Sequence, residues 1–348
     1  MKGPTSLEDL QAGRGVSGDC GTSPTIPPKW LSPKVYSPED IKSFFHDHAF
    51  SIVFAWHCSL TIGFSLPTLL EALVFTNNSN TPKKALRRYV NTGTHLASWH
   101  NGNLFDSTTK AFGSLQGVRS GHAAVRKDMD SKLPGKTWLS MYNMACVQTG
   151  FVGALTIVPS AFGLHATEEE LEKYVLFWKC IGYQLGVADQ YNLCSLGKVT
   201  ADKIIWEVIN KVLLPDAHNP PKEYPEMAGA YIDGLNLLFL GLPILSVKST
   251  LAFSYAALGQ KVPPMCLCDH LRVCLLKLLV CLISVSSSFH GLMNYAAQAT
   301  IKGGGERPAK KQCSRLAWVV LLVFATVCAL GAFIGYLVWE GFEVLTKA

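Results

Sequence analysis

An uncharged apolar run of 24 residues, Leu316–Trp339, limits what this chain can fold into more than any other feature. At about 1.5 Å per residue, a helix of that length crosses a hydrocarbon core of roughly 30 Å, and aromatic residues lie near its ends. Basic residues come just before the run, and only the nine residues 340–348 follow it. The positive-inside rule therefore predicts a single C-terminal transmembrane anchor with a short tail and a main domain in the cytosol. The alternative is a helix buried in a globular core.

Positive charge is concentrated in residues 301–315, which form a basic linker before the apolar run. The formal net charge of the whole chain is +6, and this linker alone holds five Lys and Arg residues against one Glu. The rest of the chain is nearly balanced, so no basic face remains that would bind a phosphate backbone. We therefore exclude nucleic acid as a partner.

Residues 1–35 have the composition of a disordered leader. Five Pro and five Gly residues interrupt them without an apolar period, and the continuous apolar core of a signal peptide is absent. The eleven cysteines of the chain lie mostly inside apolar runs and include no CxxC pair. This usage predicts small buried thiols in a reducing compartment rather than a disulfide framework.

Residues 36–300 carry apolar residues at helical spacing, and no alternating strand pattern persists. Thr167 and Glu170 form a capping box before one helix, and an apolar run at 50–75 is broken at Pro67. Further helices are expected over about 82–100, 115–132, 140–158, 201–213, 226–258 and 269–300. The expected fold is all-α: a single helical-bundle domain enclosing a hydrophobic pocket, plus the C-terminal transmembrane helix. Several of these helices are apolar enough to suggest further membrane spans, but they contain charged residues. They are therefore expected to be buried in the bundle, and the alternative is a position in the membrane interface.

The most informative helix is LQGVRSGHAAVRKDM, which places His122 in the middle of an apolar stripe. Arg119 and Arg126 flank that histidine on the edge of the same face. Desolvation and like charge both disfavour an imidazolium there, and a neutral imidazole is the form that binds metal. The alternative is a buried histidine that is hydrogen-bonded to a neighbouring backbone. The stripe consists of Leu115, Val118, His122, Val125 and Met129.

Three other places carry polar groups that suit a site. Arg88 and Thr92 are four residues apart and share one helix face, although a solvated Arg and a Thr bonded to the preceding turn fit equally well. Gln148 and Thr149 lie in an apolar helix and need partners from a neighbouring helix or a ligand. Glu71 lies in an apolar run that would raise its pKa towards that of a general base, unless it is a paired buried acid.

Three segments together carry a resemblance to a known family. They are VRSGHAAVR at 118–126, MYNMACVQTGFVG at 141–153 and FWKCIGYQLGVADQYNLC at 177–194. Over about residues 40–300 the chain resembles the ER-bound MpaB-type oxygenases and rubber oxygenase (latex-clearing protein). It is most similar to the uncharacterised animal and fungal branch of that family.

The resemblance implies a haem b held between helices, with His122 as the proximal iron ligand. It also implies that Arg119 is a partner of a haem propionate. Arg126, on the other side of the histidine, suits the same anionic edge of the cofactor through charge-assisted pairs. These three residues are therefore the expected cofactor-binding set, with His122 as the metal ligand.

The resemblance further implies that Arg88 and Thr92 line the haem site. A glutamate base lies upstream of this pair in rubber oxygenase, and Glu71 is the nearest candidate in this chain. A lysine that precedes the threonine in rubber oxygenase is Asn91 here. This departure leaves the substrate open. Arg88, Thr92 and Glu71 are the expected catalytic residues.

The expected function is that of a membrane-anchored, haem-dependent oxygenase. It would act with O₂ on an unsaturated lipophilic, isoprenoid-like substrate, in the endoplasmic reticulum membrane with the main domain facing the cytosol. The alternative is a non-catalytic, membrane-anchored haem- or lipid-binding protein. A hydrolase is disfavoured because the chain has no G-x-S-x-G, HExxH or P-loop motif. The oligomeric state stays open.

Overall fold

The computed structural model describes residues 3–19, 21–23, 25–32, 35–239 and 241–303, and over these residues the protein is helical. No strand occurs in these ranges, where an isolated antiparallel bridge joins Ser17 to Ser140. The predicted all-α architecture is confirmed for this part of the chain. The predicted anchor, the short tail and the basic linker beyond residue 303 lie outside the described residues. The helices are α1 (Leu7–Gln11), α2 (Pro38–Gly63), α3 (Pro67–Thr76), α4 (Pro82–His100), α5 (Lys110–Lys132), α6 (Met141–Ile157), α7 (Glu168–Gln184), α8 (Lys198–Val208), α9 (Leu214–His218), α10 (Tyr224–Asn236), α11 (Val247–Ala257), α12 (Leu267–Val285) and α13 (Ser287–Gly303).

Helix α2 is the centre of the bundle. Ser37 caps its first turn by accepting a hydrogen bond from the Asp40 amide, and Pro38 occupies the first helical position. The helix then packs against α6, α11 and α13, with further contacts to α4 and α7. Its apolar residues are buried on all sides, because neighbouring helices surround it, and most of the buried side chains form one contiguous core.

The N-terminal segment corrects the prediction of a disordered leader. Ser6 caps α1, and Leu7 and Leu10 are buried in the main core. The Gly18 amide donates to the Leu139 carbonyl at 3.0 Å, which ties the segment to the start of α6. The sequence misled because the two leucines are too few to produce a periodic signal, yet both find apolar partners elsewhere in the chain.

Two of the expected helices are each broken into two. Residues 226–258 contain α10 and α11, which are separated by a turn at Gly241 (φ 78°) and by Pro243, whose ring cannot continue a helix. Residues 269–300 contain α12 and α13, which bend by 115° at Ser286. The predicted break at Pro67 is observed between α2 and α3, with a bend of 93°.

None of the helices in the described ranges is by itself long and apolar enough to cross a membrane. The two bent pairs, α2 with α3 and α12 with α13, each meet that test of length and composition when they are taken together.

The cysteines fall into two groups, which partly corrects the prediction of buried thiols. Cys58, Cys146, Cys180 and Cys194 are buried, and burial raises the pKa of the Cys58 and Cys146 thiols to about 12. Four others, on or beside α12, are exposed: Cys266, Cys268, Cys274 and Cys281. All eight are free thiols.

Candidate functional site

A cavity of about 730 Å³ lies inside the bundle, within the usual range of roughly 300–1,000 Å³ for small-molecule sites. Its wall is mostly apolar and comes chiefly from α2, α4, α6, α12 and α13. Three of the predicted site residues, His122, Arg88 and Thr92, line this cavity. The two short motifs that carry them, on α4 and α5, are therefore brought to one place.

His122 lines the cavity and has one imidazole nitrogen without a partner among the described residues. Thr109 caps α5, and the burial of Leu115 and Met129 fixes which face of the helix points inward. The Nδ1 atom of His122 is buried and has no hydrogen-bond partner among the described residues. Desolvation and the nearby Arg88 guanidinium lower the pKa of His122, and the Asp19 carboxylate opposes that shift. The lowered pKa favours the neutral imidazole, which is the form that binds metal.

Arg88 brings a positive charge to the same cavity, and no carboxylate of the described part of the chain pairs with it. Its Nη1 donates to Thr76 Oγ1 at 3.0 Å and to Ser79 Oγ at 3.1 Å. Within the described residues the guanidinium makes no ion pair. Burial lowers the pKa of Arg88, although a guanidinium remains charged in proteins. A half-buried cation whose partners among the described residues are all neutral suits an anionic ligand edge.

Thr92 has a modest local role in the structure. Its Oγ1 donates to the Arg88 carbonyl at 3.1 Å, which is the back-bond to the preceding turn that the sequence left open. The side chain still lines the cavity beside Arg88. Asn91, on the same helix, is exposed.

Arg119 and Arg126 point to the other side of α5 and do not line the cavity. Arg119 donates to the backbone carbonyls of Asp19 at 2.7 Å, Thr22 at 2.6 Å and Gln184 at 3.1 Å. Arg126 pairs with the carboxylates of Asp19 and Asp130, each at 3.1 Å. Both arginines are occupied in holding the N-terminal segment against α5.

Glu71 lies outside the cavity, and the prediction of an apolar environment for its side chain is wrong. Its side chain is 44% exposed and forms an ion pair with Lys136. Leu69, Ala72 and Leu73 of the same helix line the cavity, so Glu71 lies on the opposite face of α3. Hydropathy of the run could not reveal this, because it averages over both faces of a helix.

Sequence reasoning missed a polar cluster on the cavity wall. His57 and Tyr231 both line the cavity, and His57 Nδ1 lies 3.1 Å from the Tyr231 hydroxyl. His57 Nε2 lies 3.4 Å from Thr250 Oγ1, and burial lowers the pKa of His57 to about 4. A lone histidine within the apolar run at 50–75 was the available signal.

Gln148 has its partners within the protein. Its Nε2 donates to the Trp178 carbonyl at 2.8 Å and to Asn192 Oδ1 at 3.1 Å, and its Oε1 accepts from the Leu193 amide. Thr149 donates to the Ala145 carbonyl. The neighbouring helix α7 and the loop after it therefore satisfy the polar group that the sequence left open to a ligand.

A multi-ligand metal centre is not formed by the residues that the structure describes, since no group of three or more His, Cys, Asp or Glu side chains converges among them. A haem needs only one or two axial ligands from the protein. His122 meets that smaller requirement.

Comparison with known proteins identifies one match. Residues 44–202, slightly less than half of the chain, match the family model described as "ER-bound oxygenase mpaB/B'/Rubber oxygenase, catalytic domain". No curated protein and no solved structure matches the chain. The matched span includes α3–α7 and every predicted site residue, and the family supports an oxygenase-like role. Over residues 44–202 the chain thus matches the catalytic-domain family of the ER-bound oxygenase mpaB/B' and rubber oxygenase, which confirms the resemblance that its motifs predicted.

Proposed function

We propose that this protein is a membrane-anchored, haem-dependent oxygenase that acts with O₂ on an unsaturated lipophilic substrate. The observation that carries the proposal is the unpartnered His122 imidazole on the wall of the large apolar cavity. Arg88 supports it, because its guanidinium has no carboxylate partner among the described residues and suits the anionic edge of a haem b. When bound, the haem supplies an iron with an open position for O₂.

The residues of the chain then have distinct roles. Neutral His122 holds the iron, Arg88 binds and orients the anionic edge, and Thr92 shapes the cavity beside it. The apolar wall excludes water and accommodates a hydrocarbon chain. In this proposal Arg119 and Arg126 are positioning residues that hold the N-terminal segment against α5. They do not bind the haem propionates, because that contact would require them to give up their present partners.

A second candidate function is non-catalytic binding of haem or lipid. One observation favours it: no Asp or Glu among the described residues lines the cavity, so the proton acceptor proposed at Glu71 has no geometric support. The oxygenase proposal therefore leaves proton removal unassigned.

The test is the visible spectrum of the full chain, purified in detergent from haem-supplemented cells. We expect a Soret band that His122→Ala weakens or shifts, and that His270→Ala, at an exposed histidine of α12, leaves unchanged. A folded protein without haem or iron would refute both the oxygenase and the haem-binder. O₂ consumption with an unsaturated isoprenoid such as squalene separates the two, since a binder holds haem without turnover.

Placement in the endoplasmic reticulum, with the main domain in the cytosol, is part of the proposal. It rests on the anchor predicted at Leu316–Trp339 and on the words "ER-bound" in the family description. Asn77, Asn78 and Ser79 form a glycosylation sequon at the end of α3. We expect endoglycosidase to leave the gel mobility unchanged, and a mobility shift would place this domain in the lumen.

A further inference from the structure

One face of α12 is apolar and exposed along the whole helix. Leu267 and Val285, at the two ends of this face, are each 74% exposed. Steps of four and three residues alternate between its members, so they share one side of the helix. We call this the α12 stripe, and it consists of Leu267, Leu271, Cys274, Leu278, Cys281 and Val285, all of them exposed.

The other side of α12 forms part of the cavity wall. Leu275, Leu276, Leu279 and Leu282 line the cavity, and Leu276 and Ile283 are buried. The helix is therefore apolar on both sides, and its own thickness separates the cavity from the surroundings of the protein. A soluble surface helix would carry charged residues on its outer face.

The charged residues of α12 lie between positions 269 and 277. Asp269 and Arg272 pair with each other at 2.8 Å, and Lys277 is the last charged residue of the helix. The eight residues 278–285 carry no charge. After the 115° bend, α13 also exposes an apolar and an aromatic side chain, Leu292 and Tyr295. Exposed tyrosines are typical of a membrane interface.

We infer that the α12 stripe lies in the boundary between headgroups and acyl chains of a lipid bilayer. This inference rests on the proposed membrane attachment. Only the twelve linker residues 304–315 separate the end of α13 at Gly303 from the predicted anchor at Leu316–Trp339. At no more than about 3.6 Å per residue, that linker holds the end of α13 within roughly 45 Å of the anchor.

Charge and composition also favour a bilayer as the partner. The linker residues 301–315 hold five basic residues against one Glu, a charge that attracts an anionic leaflet. The pair of α12 and α13 meets the hydropathy test for a bent membrane segment. A helix in the interface buries its apolar face by about 5–10 Å, which is enough to cover the stripe.

The test places a fluorescent label on Cys281 of the full chain, with the other accessible cysteines replaced by Ser. The protein is reconstituted in vesicles of phosphatidylcholine and phosphatidylserine. A matched control carries the label at Val199→Cys on α8, where an apolar side chain is also exposed. Quenching by spin labels on the lipid acyl chains is compared with quenching by aqueous iodide.

We expect lipid-borne spin labels to quench the Cys281 label several-fold more than the Val199→Cys label. Iodide should quench the Val199→Cys label several-fold more than the Cys281 label. Adding Leu271→Glu and Leu278→Glu should expose the Cys281 label to iodide while the chain stays attached to the vesicles. Equal quenching at the two positions would overturn the inference.

Other occupants of the stripe give different results. A label protected from both quenchers would mean that protein covers the stripe, which also overturns the inference. Mild oxidation of the unlabelled wild-type chain would then identify the occupant: a disulfide-linked dimer through Cys281 indicates a second copy, and a Cys281–Cys328 disulfide indicates the C-terminal segment. Vesicle flotation tests the membrane attachment separately. A chain that floats but shows no lipid quenching refutes only the position of the α12 stripe in the bilayer. A chain that does not float refutes the membrane attachment as well.

Discussion

The two sides of α5 differ in how their polar groups are satisfied. On the outer side, Arg119 and Arg126 reach carbonyl and carboxylate partners at hydrogen-bonding distance. On the cavity side, the buried Nδ1 of His122 has no partner among the described residues. A polar group that is fully bonded within the protein contributes to the fold, whereas a buried one left unbonded costs stability unless a ligand completes it. The comparison separates structural residues from candidate site residues on one helix.

The strongest way to break this comparison is His122→Ala. We expect the variant to lose haem-linked absorbance, whereas the unfolding temperature of the haem-free protein changes little or rises, since the imidazole makes no protein hydrogen bond that would be lost. Visible spectra and thermal melts of both proteins provide the measurement. A large drop in the melting temperature of the haem-free variant would contradict the assignment, because it would mean that His122 is a structural residue.

Arg119→Met tests the outer side. It leaves three backbone carbonyls without their donor, so we expect a loss of about 2–3 kcal/mol in the free energy of unfolding. The N-terminal segment should also become sensitive to proteolysis. Arg87→Met, at an exposed position of α4, is the matched control and should change stability by less than about 0.5 kcal/mol. Unchanged proteolysis of Arg119→Met would show that the segment is held by other contacts.

The pH dependence of stability extends the comparison to the other buried histidines. Burial lowers the pKa of His57 and of His100 to about 4, below the usual value of 6.5. The unfolded chain therefore binds these protons first as the pH falls, and stability is lost from about pH 6.5 down to pH 4. Each histidine should account for about 2 kcal/mol between pH 7 and pH 5. Urea unfolding of the wild type and of His100→Phe at the two pH values checks this. If both proteins lose the same free energy of unfolding between pH 7 and pH 5, the prediction is refuted.

The smallest expected effect concerns Arg88. Arg88→Gln keeps a donor for Thr76 and Ser79 but removes the unbalanced charge from the cavity. We expect haem affinity to fall by about tenfold, equivalent to about 1.4 kcal/mol, with little change in the stability of the haem-free protein. Haem titration followed by absorbance measures the haem affinity of the wild type and of Arg88→Gln. An unchanged affinity would remove Arg88 from the site.

Local signals predicted much of the structure correctly. The helical spacing over 82–100, the capping box at Thr167 and Glu170, and the apolar stripe through His122 each act within a few residues, and the helices that they predicted are observed. The capping box has both of its reciprocal hydrogen bonds. The cavity-facing position of His122 also followed from that spacing.

The errors concern contacts between distant parts of the chain. Neither the partners of Arg119 in the N-terminal segment nor the surface position of Glu71 follows from helical spacing, because both depend on where other helices pack. Likewise, the apolar composition of α12 does not distinguish a buried side from an exposed one. Its exposed cysteines resemble buried ones in the sequence.

The attachment of the N-terminal segment has a consequence for synthesis of the chain. Thr22 bonds to the Tyr183 carbonyl, 161 residues later in the sequence. At about 5–20 residues per second, the ribosome needs on the order of ten to thirty seconds to make that partner, and longer before it leaves the exit tunnel. Leu7 and Leu10 lack part of their docking surface for even longer and are available to chaperones, because α1 packs against α8 as well as against α6. Synthesis of α7 and α8 must therefore precede the full docking of the first segment of the chain.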